Sequence, residues 1–336
     1  MGYINLNKKS FFHNADYYAK LLGDKSKICI ALKDNAYGHG IEPMGEISSE
    51  YGIKHTMVRN VNEANRAAKY NFESILVLYE LPKDKYPENY IFSLNSLDDI
   101  KNCSSHYKIE LKIDTGMGRN GILPSEIAEA IKYIKKNNLI LNGVFTHFSS
   151  ADEDDEITYN QEKLFLNSVE KIKNLVDTPF RIHCANSAGA HKVDNGLYDM
   201  ARVGMGLYGY LDFDDVIDKV LPILSLHAKK ISTRVLNKGD ALNYGATYKV
   251  PHDNFVVSNY DVGYGDGFFR LNERKKAFTT KNKEILGRVS MDGLSVEGDD
   301  ETICLFNNAR ALAKTHDTIH YEILTNLHAG VPKFII

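Results

Sequence analysis

Lys33 ends a short apolar run and opens a glycine-containing loop, Asp34-Asn35-Ala36-Tyr37-Gly38-His39-Gly40. Partial burial at a strand end disfavours the charged form of an amine. It leaves a nucleophile suited to a Schiff base with an aldehyde. Taken by itself, a strand-terminal lysine equally fits a snorkelling surface residue. A second run, Lys112-Ile113-Asp114-Thr115-Gly116-Met117-Gly118-Arg119-Asn120-Gly121, turns on its glycines and presents the planar fork of Arg119, which matches a carboxylate. A strand-ending turn with surface charges would look the same. His147, in Phe145-Thr146-His147-Phe148-Ser149, follows another apolar run and alone reads as structural. Ser187 sits among small residues in His183-Cys184-Ala185-Asn186-Ser187-Ala188-Gly189, a setting that suits a phosphate at a short helix start. Arg202 lies inside the apolar stretch Met200-Ala201-Arg202-Val203-Gly204, where a charge is costly unless paired.

Positioning these groups requires strand ends gathered on one face. The first two thirds of the chain alternate apolar runs with helix-like segments. Eight runs read as strands: 27–33, 55–58, 74–79, 90–94, 108–114, 139–147, 180–184 and 201–208. Several are almost continuously apolar and β-branched, as in parallel strands covered on both faces. Helical patterns fall between them at 62–68, at 124–136 with Pro124 in the first turn, and at 159–176 with Leu164, Phe165, Val169 and Ile172 on one face. The repeat predicts an α/β fold, a (β/α)8 barrel of the TIM type over residues 1–220, whose active site gathers at the carboxyl ends of the strands. Residues 221–336 predict a mostly β C-terminal domain, with strands at 226–235, 255–260, 284–288 and 302–306, a turn at 237–240, and helices at 309–314 and 321–327. The acidic stretch 212–218 reads as the linker.

Several classes drop out. A net charge of −3 provides no basic field for nucleic acid. No apolar stretch reaches the roughly 20 residues that span a bilayer. The N-terminal residues lack a cationic start followed by an apolar run, so no signal peptide is expected. Four cysteines without a Cys-x-x-Cys pair suit a reducing, cytoplasmic setting. No metal is expected: His183 and Cys184 have no further ligands nearby. The acidic run 152–156 lacks the glycine and closing glutamate of a calcium loop and reads as solvated loop. Gly263-Tyr264-Gly265-Asp266-Gly267 lacks the βαβ surroundings of a dinucleotide site.

Leu32-Lys33-Asp34-Asn35-Ala36-Tyr37-Gly38-His39-Gly40 closely resembles the pyridoxal-phosphate attachment motif of alanine racemases, and matching motifs follow in order almost to the C-terminus. The resemblance implies an isomerase that interconverts L- and D-alanine with pyridoxal 5'-phosphate and supplies D-alanine for peptidoglycan. It implies that Lys33 carries the cofactor as an internal aldimine. Tyr37, Ser187, Tyr321 and the backbone near Gly204 and Met205 then hold its phosphate, His147 lies against its ring, and Arg202 faces its pyridine nitrogen. Arginine donates but cannot accept a proton there, which weakens the ring as an electron sink; pyridoxal enzymes needing a strong sink place an acid at this position. Arg119 and Met291 contact the substrate carboxylate, Lys112 is carbamylated and steadies Arg119, and Tyr264 lines the entry.

Racemisation needs proton transfer on both faces of one carbon. Lys33 serves one face. In the family the tyrosine of Leu242-Asn243-Tyr244-Gly245-Ala246-Thr247-Tyr248 serves the other, from the partner subunit, so Tyr244 is the second base and a homodimer is implied. The chain departs from the family at Asp34, where a small residue is commoner, and at Asn120, where leucine is. A racemase for another small amino acid, a same-fold decarboxylase and a non-catalytic pyridoxal-phosphate-binding protein are the alternatives. Arg202 and Tyr244 count against the decarboxylase, Lys112 against the broader racemase, and the long C-terminal region against the binding protein.

Overall fold

The computed structural model describes residues 2–104, 106–213, 216–270 and 275–336. The predicted linker therefore lies partly outside the described residues, at 214 and 215. The chain forms two compact units.

In one unit (Lys9–Asp34 and Met44–Leu221) eight strands run parallel. Counting from β1 (Tyr3–Leu6), which belongs to the other unit, they are β2 (Ile28–Ala31), β3 (His55–Val58), β4 (Ser74–Val77), β5 (Tyr90–Leu94), β6 (Lys108–Lys112), β7 (Ile140–Phe145), β8 (Arg181–His183) and β9 (Ala201–Val203). Each pairs with its sequence neighbour from β2 through β8, and β2 also pairs with β9. Across the β8–β9 seam the described residues form no strand ladder, but Arg202 N donates to Ala185 O (2.9 Å) and Asp199 N to Ile182 O (3.0 Å), each bond using one residue just outside a strand. The result is a near-closed barrel. Ile28, Cys29, Ile30 and Ala31 of β2 are all fully buried, as a strand covered on both faces must be. Burying an isoleucine contributes roughly 1.5–3 kcal/mol relative to leaving it exposed.

Three helices differ in detail from the sequence pattern. The helix after β6 is Ile127–Lys136. Pro124 precedes it in a turn closed by Glu126 Oε2, which accepts from Leu123 N at 2.7 Å. The helix after β7 begins earlier than its apolar periodicity, spanning Asp155–Lys173. Asp154 caps it through Ile157 N (2.9 Å), and Asp155 and Glu156 occupy its first turn. The acidic run is thus a helix start, where negative charge offsets the helix dipole, rather than a loop. Leu164 faces outward, while Phe165, Val169 and Ile172 are buried. The last predicted strand stops at Val203, and Met205–Tyr208 turns into a short helix.

The other unit joins the chain start through Lys8, Asn35–Pro43 and Pro222–Ile336. Its spine is β10 (Leu224–Leu236), which pairs with β1, with Phe255–Tyr260 and with Thr302–Phe306. Two register shifts let its two halves take different partners. The first residues, read from sequence as part of the barrel domain, belong to this sheet: β1 lies between β10 and Lys333–Ile335, parallel to the latter. Leu294–Glu297 is a strand that the pattern missed, whereas 284–288 contributes only isolated bridges. Among the described residues no helix is long and apolar enough to cross a membrane.

The segment after β2 winds in the uncommon sense. Asp34, Asn35, Ala36 and Tyr37 have φ of 52°, 54°, 54° and 50°, a left-handed turn costing roughly 1–2 kcal/mol per residue. Burial and local hydrogen bonds offset this. Ala36 is fully buried, Gly40 N donates to Asn35 O (2.8 Å), and buried His39 lies with Nδ1 3.1 Å from the carbonyls of both Ala36 and Tyr37. Gly38 continues the turn at φ 82°, and a Cβ there would lie 1.9 Å from Leu324 O.

Gly38→Ala should therefore lose about 2–5 kcal/mol, strain and clash together. Gly239→Ala is the comparison, with φ +87° but open space around its Cβ. It should lose only roughly 1–2 kcal/mol. Urea denaturation measures both, and equal losses would remove the close-approach argument.

Candidate active site

Lys33 follows β2, Lys112 ends β6, His147 follows β7, Ser187 follows β8 and Arg202 lies in β9. All belong to the barrel unit, where strand carboxyl ends share one face. Lys33 Nζ lies 3.1 Å from Asp34 Oδ2, and Asp34 Oδ1 lies 3.1 Å from Arg59 Nη1. The Lys33 side chain is 28% exposed, so its desolvation is partial and a carboxylate stands beside the amine. His147 is within electrostatic reach of Arg202, Lys112, Arg119 and Lys33. Burial first, then those four cations, push it down to about 3. It is a neutral imidazole. Lys112 is buried, and burial, then Arg119 and Arg202, lower its amine to about 8 against the pull of Asp114.

Arg119 is exposed on the loop after β6. Asp114 builds that loop: its Oδ1 accepts from the amides of Gly116, Met117 and Gly118 at 2.9, 3.0 and 3.1 Å. The φ of Gly121 is +123°, and a Cβ there would sit 2.6 Å from Asp114 N, so the glycine is required.

Arg202 is 3% exposed and supplied with acceptors. Nη1 lies 2.6 Å from His183 Nδ1. Nη2 donates to Thr146 O (2.6 Å) and Cys184 O (3.0 Å) and approaches His147 Nδ1 (3.3 Å). None of these bonds uses Nε. His183 is fully buried, with Nε2 2.8 Å from Glu110 Oε2, and Glu110 also pairs with Arg181. Burial pushes the Glu110 carboxyl up, but Arg181 and His183 more than offset it, holding it at about 2. Burial pushes His183 down to about 4 despite Glu110.

Ser187 Oγ accepts from Gly204 N (3.0 Å) and Gly206 N (3.1 Å), which leaves its own hydrogen for another acceptor. The Gly204 amide is thereby engaged by Ser187, while Met205 opens the short helix that follows. Tyr18 holds this segment by donating to Ser187 O (3.0 Å). In the other unit Tyr37 and Tyr321 meet edge to face, 5.9 Å between ring centroids. There too Tyr264 N donates to Ser290 O (3.0 Å) and Gly265 N to Met291 O (2.8 Å), which ties Tyr264 to Met291. Tyr244 is 65% exposed, Met291 55% and Tyr264 42%. Asn243, at φ 61°, anchors the Tyr244 turn through Leu286 O (2.6 Å) and Ser295 Oγ (3.2 Å).

Two family models match the chain: alanine racemase, N-terminal domain, over residues 6–212, and alanine racemase, C-terminal domain, over residues 223–335. The chain belongs to the alanine racemase family. Relatives include the alanine racemases of a Nitratiruptor species, 38% identical over 99% of both chains, and of Campylobacter jejuni subsp. jejuni (strain NCTC 11168), 35% identical over the full length of both. Among solved structures, the alanine racemase of Clostridium difficile 630 superposes with a TM-score of 0.88 at 25% identity, covering all of this chain and 95% of that one. The Bacillus anthracis enzyme with bound L-Ala-P superposes at 0.86 and 26%, with the same coverage. The chain is accordingly an isomerase, with the racemase barrel and β domain.

Sequence reasoning passed over Glu110, His183, Asp114 and His39 as working parts. For Glu110 a signal existed, a charge inside the apolar run of β6, the same signal that singled out Arg202. For His39 there was none, because its role depends on a left-handed backbone.

These buried histidines set a pH dependence. His39 and His183 are held near 4 and His147 near 3, against 6.5 for the free side chain. The unfolded chain therefore takes up protons first as pH falls. Stability is unaffected by these groups above about 6.5 and declines below it. Thermal melts should show Tm falling between about pH 6.5 and 4. A flat Tm across that window would rule this out.

Proposed function

We propose that the chain interconverts L- and D-alanine using pyridoxal 5'-phosphate, with Lys33 and Tyr244 as its two bases. The observation that carries this reading is Arg202: a buried guanidinium with both terminal nitrogens bonded to protein and Nε left over. That is the donor set for a ring nitrogen that is to receive a hydrogen bond and no proton. The remaining groups fit the cofactor as well. The Ser187 hydroxyl with its free hydrogen, the backbone at Gly204 and Met205, and the phenols of Tyr37 and Tyr321 would hold the phosphate. Neutral His147 would lie against the ring. Lys33 would bind the cofactor covalently.

When bound, pyridoxal phosphate draws electron density from the α-carbon of an amino acid joined to it and so acidifies the α-hydrogen. Lys33 Nζ takes or returns a proton on one face of that carbon, and Tyr244 Oη does so on the other. Arg202 keeps its proton throughout and limits how strongly electrons are withdrawn. Arg119 and Met291 bind the substrate carboxylate, and Tyr264 lines the entry. Lys112, with an amine lowered to about 8, is partly neutral near physiological pH, the form that adds carbon dioxide; the resulting carbamate would orient Arg119.

The barrel unit, Lys9–Asp34 and Met44–Leu221, would then supply Lys33 and most of the cofactor contacts, and the other unit would complete the site of a partner subunit. The exposure of Tyr244, Met291 and Tyr264 supports a homodimer in which a second copy supplies them. D-Alanine made this way would serve peptidoglycan. Three buried free thiols, Cys29, Cys103 and Cys184, support a cytoplasmic setting.

Optical rotation of L-alanine should decay to zero with the pyridoxal-phosphate-loaded protein, and borohydride reduction should fix the cofactor on Lys33. A stable rotation, or a label on another lysine, would overturn the assignment.

Tyr244→Phe should lower the rate in both directions by about 10²–10⁴-fold. Mixing it with Lys33→Ala under subunit exchange should partly restore activity, because each mixed dimer contains one intact site. No recovery despite demonstrated exchange would place both bases in one chain.

A further inference from the structure

Behind Arg202 the barrel interior contains a polar chain that the proposed chemistry does not use directly: Arg181, Glu110 and His183. We propose that Glu110 is a positioning residue for Arg202. Its carboxylate selects the one tautomer of His183 whose Nδ1 can accept from the Arg202 guanidinium. The functional part of this inference rests on the role assigned to Arg202 above.

Both ends of the imidazole constrain its proton. Arginine has five N–H donors and no acceptor. With Nη1 2.6 Å from His183 Nδ1, that nitrogen must present a lone pair, since a proton on it would face another N–H. At the other end, Nε2 lies 2.8 Å from Glu110 Oε2. An ionised carboxylate only accepts, so Nε2 must bear the proton. With both partners in place the two ends are satisfied by the same tautomer, and a doubly protonated ring fails at the Arg202 end. His183 and Glu110 are fully buried, so water cannot take either place. His183 also stacks on Phe145, with centroids 5.0 Å apart and planes within 3°, which prevents the ring from tilting to relieve a mismatch.

Glu110 is held in turn from behind. Arg181 pairs with its other oxygen and donates through Nη1 to Ser74 Oγ (3.0 Å), which lies 2.8 Å from His55 Nδ1. The order of information is therefore Arg181, Glu110, His183 tautomer, Arg202. Without the carboxylate, His183 could adopt its Nδ1–H form. Arg202 Nη1 would then lose its acceptor, and the guanidinium would be held only through Nη2.

The test uses histidine labelled with ¹⁵N and long-range ¹H–¹⁵N correlation on the full-length protein without added cofactor, so its outcome is independent of racemase activity. His183 is assigned by the signal lost in His183→Gln. Wild-type His183 should show a protonated Nε2 and a bare Nδ1. A protonated Nδ1 would overturn the proposal whether or not any variant folds.

Glu110→Gln/Arg181→Met then removes the carboxylate together with the charge it would otherwise leave unpaired. His183 should become a mixture of tautomers, and in the loaded enzyme the share of turnovers ending in transamination should rise several-fold. If Glu110 merely balances Arg181, the double variant keeps a single His183 tautomer and the wild-type side-reaction share, and the proposal fails.

Discussion

A guanidinium that cannot lose its proton sits in the interior of this barrel, and much of the polar interior answers to it. Left without partners, a buried charge of this kind would cost several kcal/mol, and deleting one of its partners typically costs about 3–5 kcal/mol. Arg202 is provided for by two main-chain carbonyls at the ends of neighbouring strands and by an imidazole that must be neutral to accept. The need for a neutral acceptor places Glu110 behind His183, and the need to keep Glu110 ionised places Arg181 behind Glu110. TIM-type barrels usually fill this space with branched apolar side chains. Here part of it is a row of two cations, one anion and one neutral ring.

That charge balance leaves the strand-end face positive. Arg202, Lys112, Arg119 and Lys33 all act on His147, and burial with the neighbouring arginines lowers Lys112 to about 8, where it can discharge near neutrality. Such a face is suited to ligands that bring their own negative charge, as a phosphorylated cofactor and an amino-acid carboxylate both do. Burial first, and that field second, keep His147 neutral, so its ring adds no charge to this face.

Strain is placed where position matters most. The left-handed turn directly follows Lys33, with four successive residues at positive φ. It persists because His39, Asn35 and the glycine at 38 each make a contact available only in that conformation. Nothing in it relies on helix propensity, which runs the other way. In the other unit Asn243 does similar work for Tyr244, holding a positive φ through two side-chain bonds while the tyrosine itself stays exposed.

The amino-acid sequence by itself determined what is local. Apolar runs of a few residues, separated by helical periodicity, are sufficient to specify eight parallel strands and hence a barrel. Lys33 and Arg202 stand out against apolar neighbours, but the roles expected of Lys33, Arg119, His147 and Arg202 came from the resemblance of the motifs around them. Tertiary structure decided whatever depends on residues far apart. The sheet to which Tyr3–Leu6 belongs was settled by partners at 224–227 and 333–335. The helix start at Asp155 is by contrast local, set by a cap and first-turn charges that apolar periodicity does not register. The close approach of Leu324 O is what requires glycine at 38, where the left-handed turn continues. The Glu110–His183 pair spans 73 positions. No local pattern marks such a pair, because a tautomer is chosen by what stands at both ends of a ring, and only the folded chain brings both ends together.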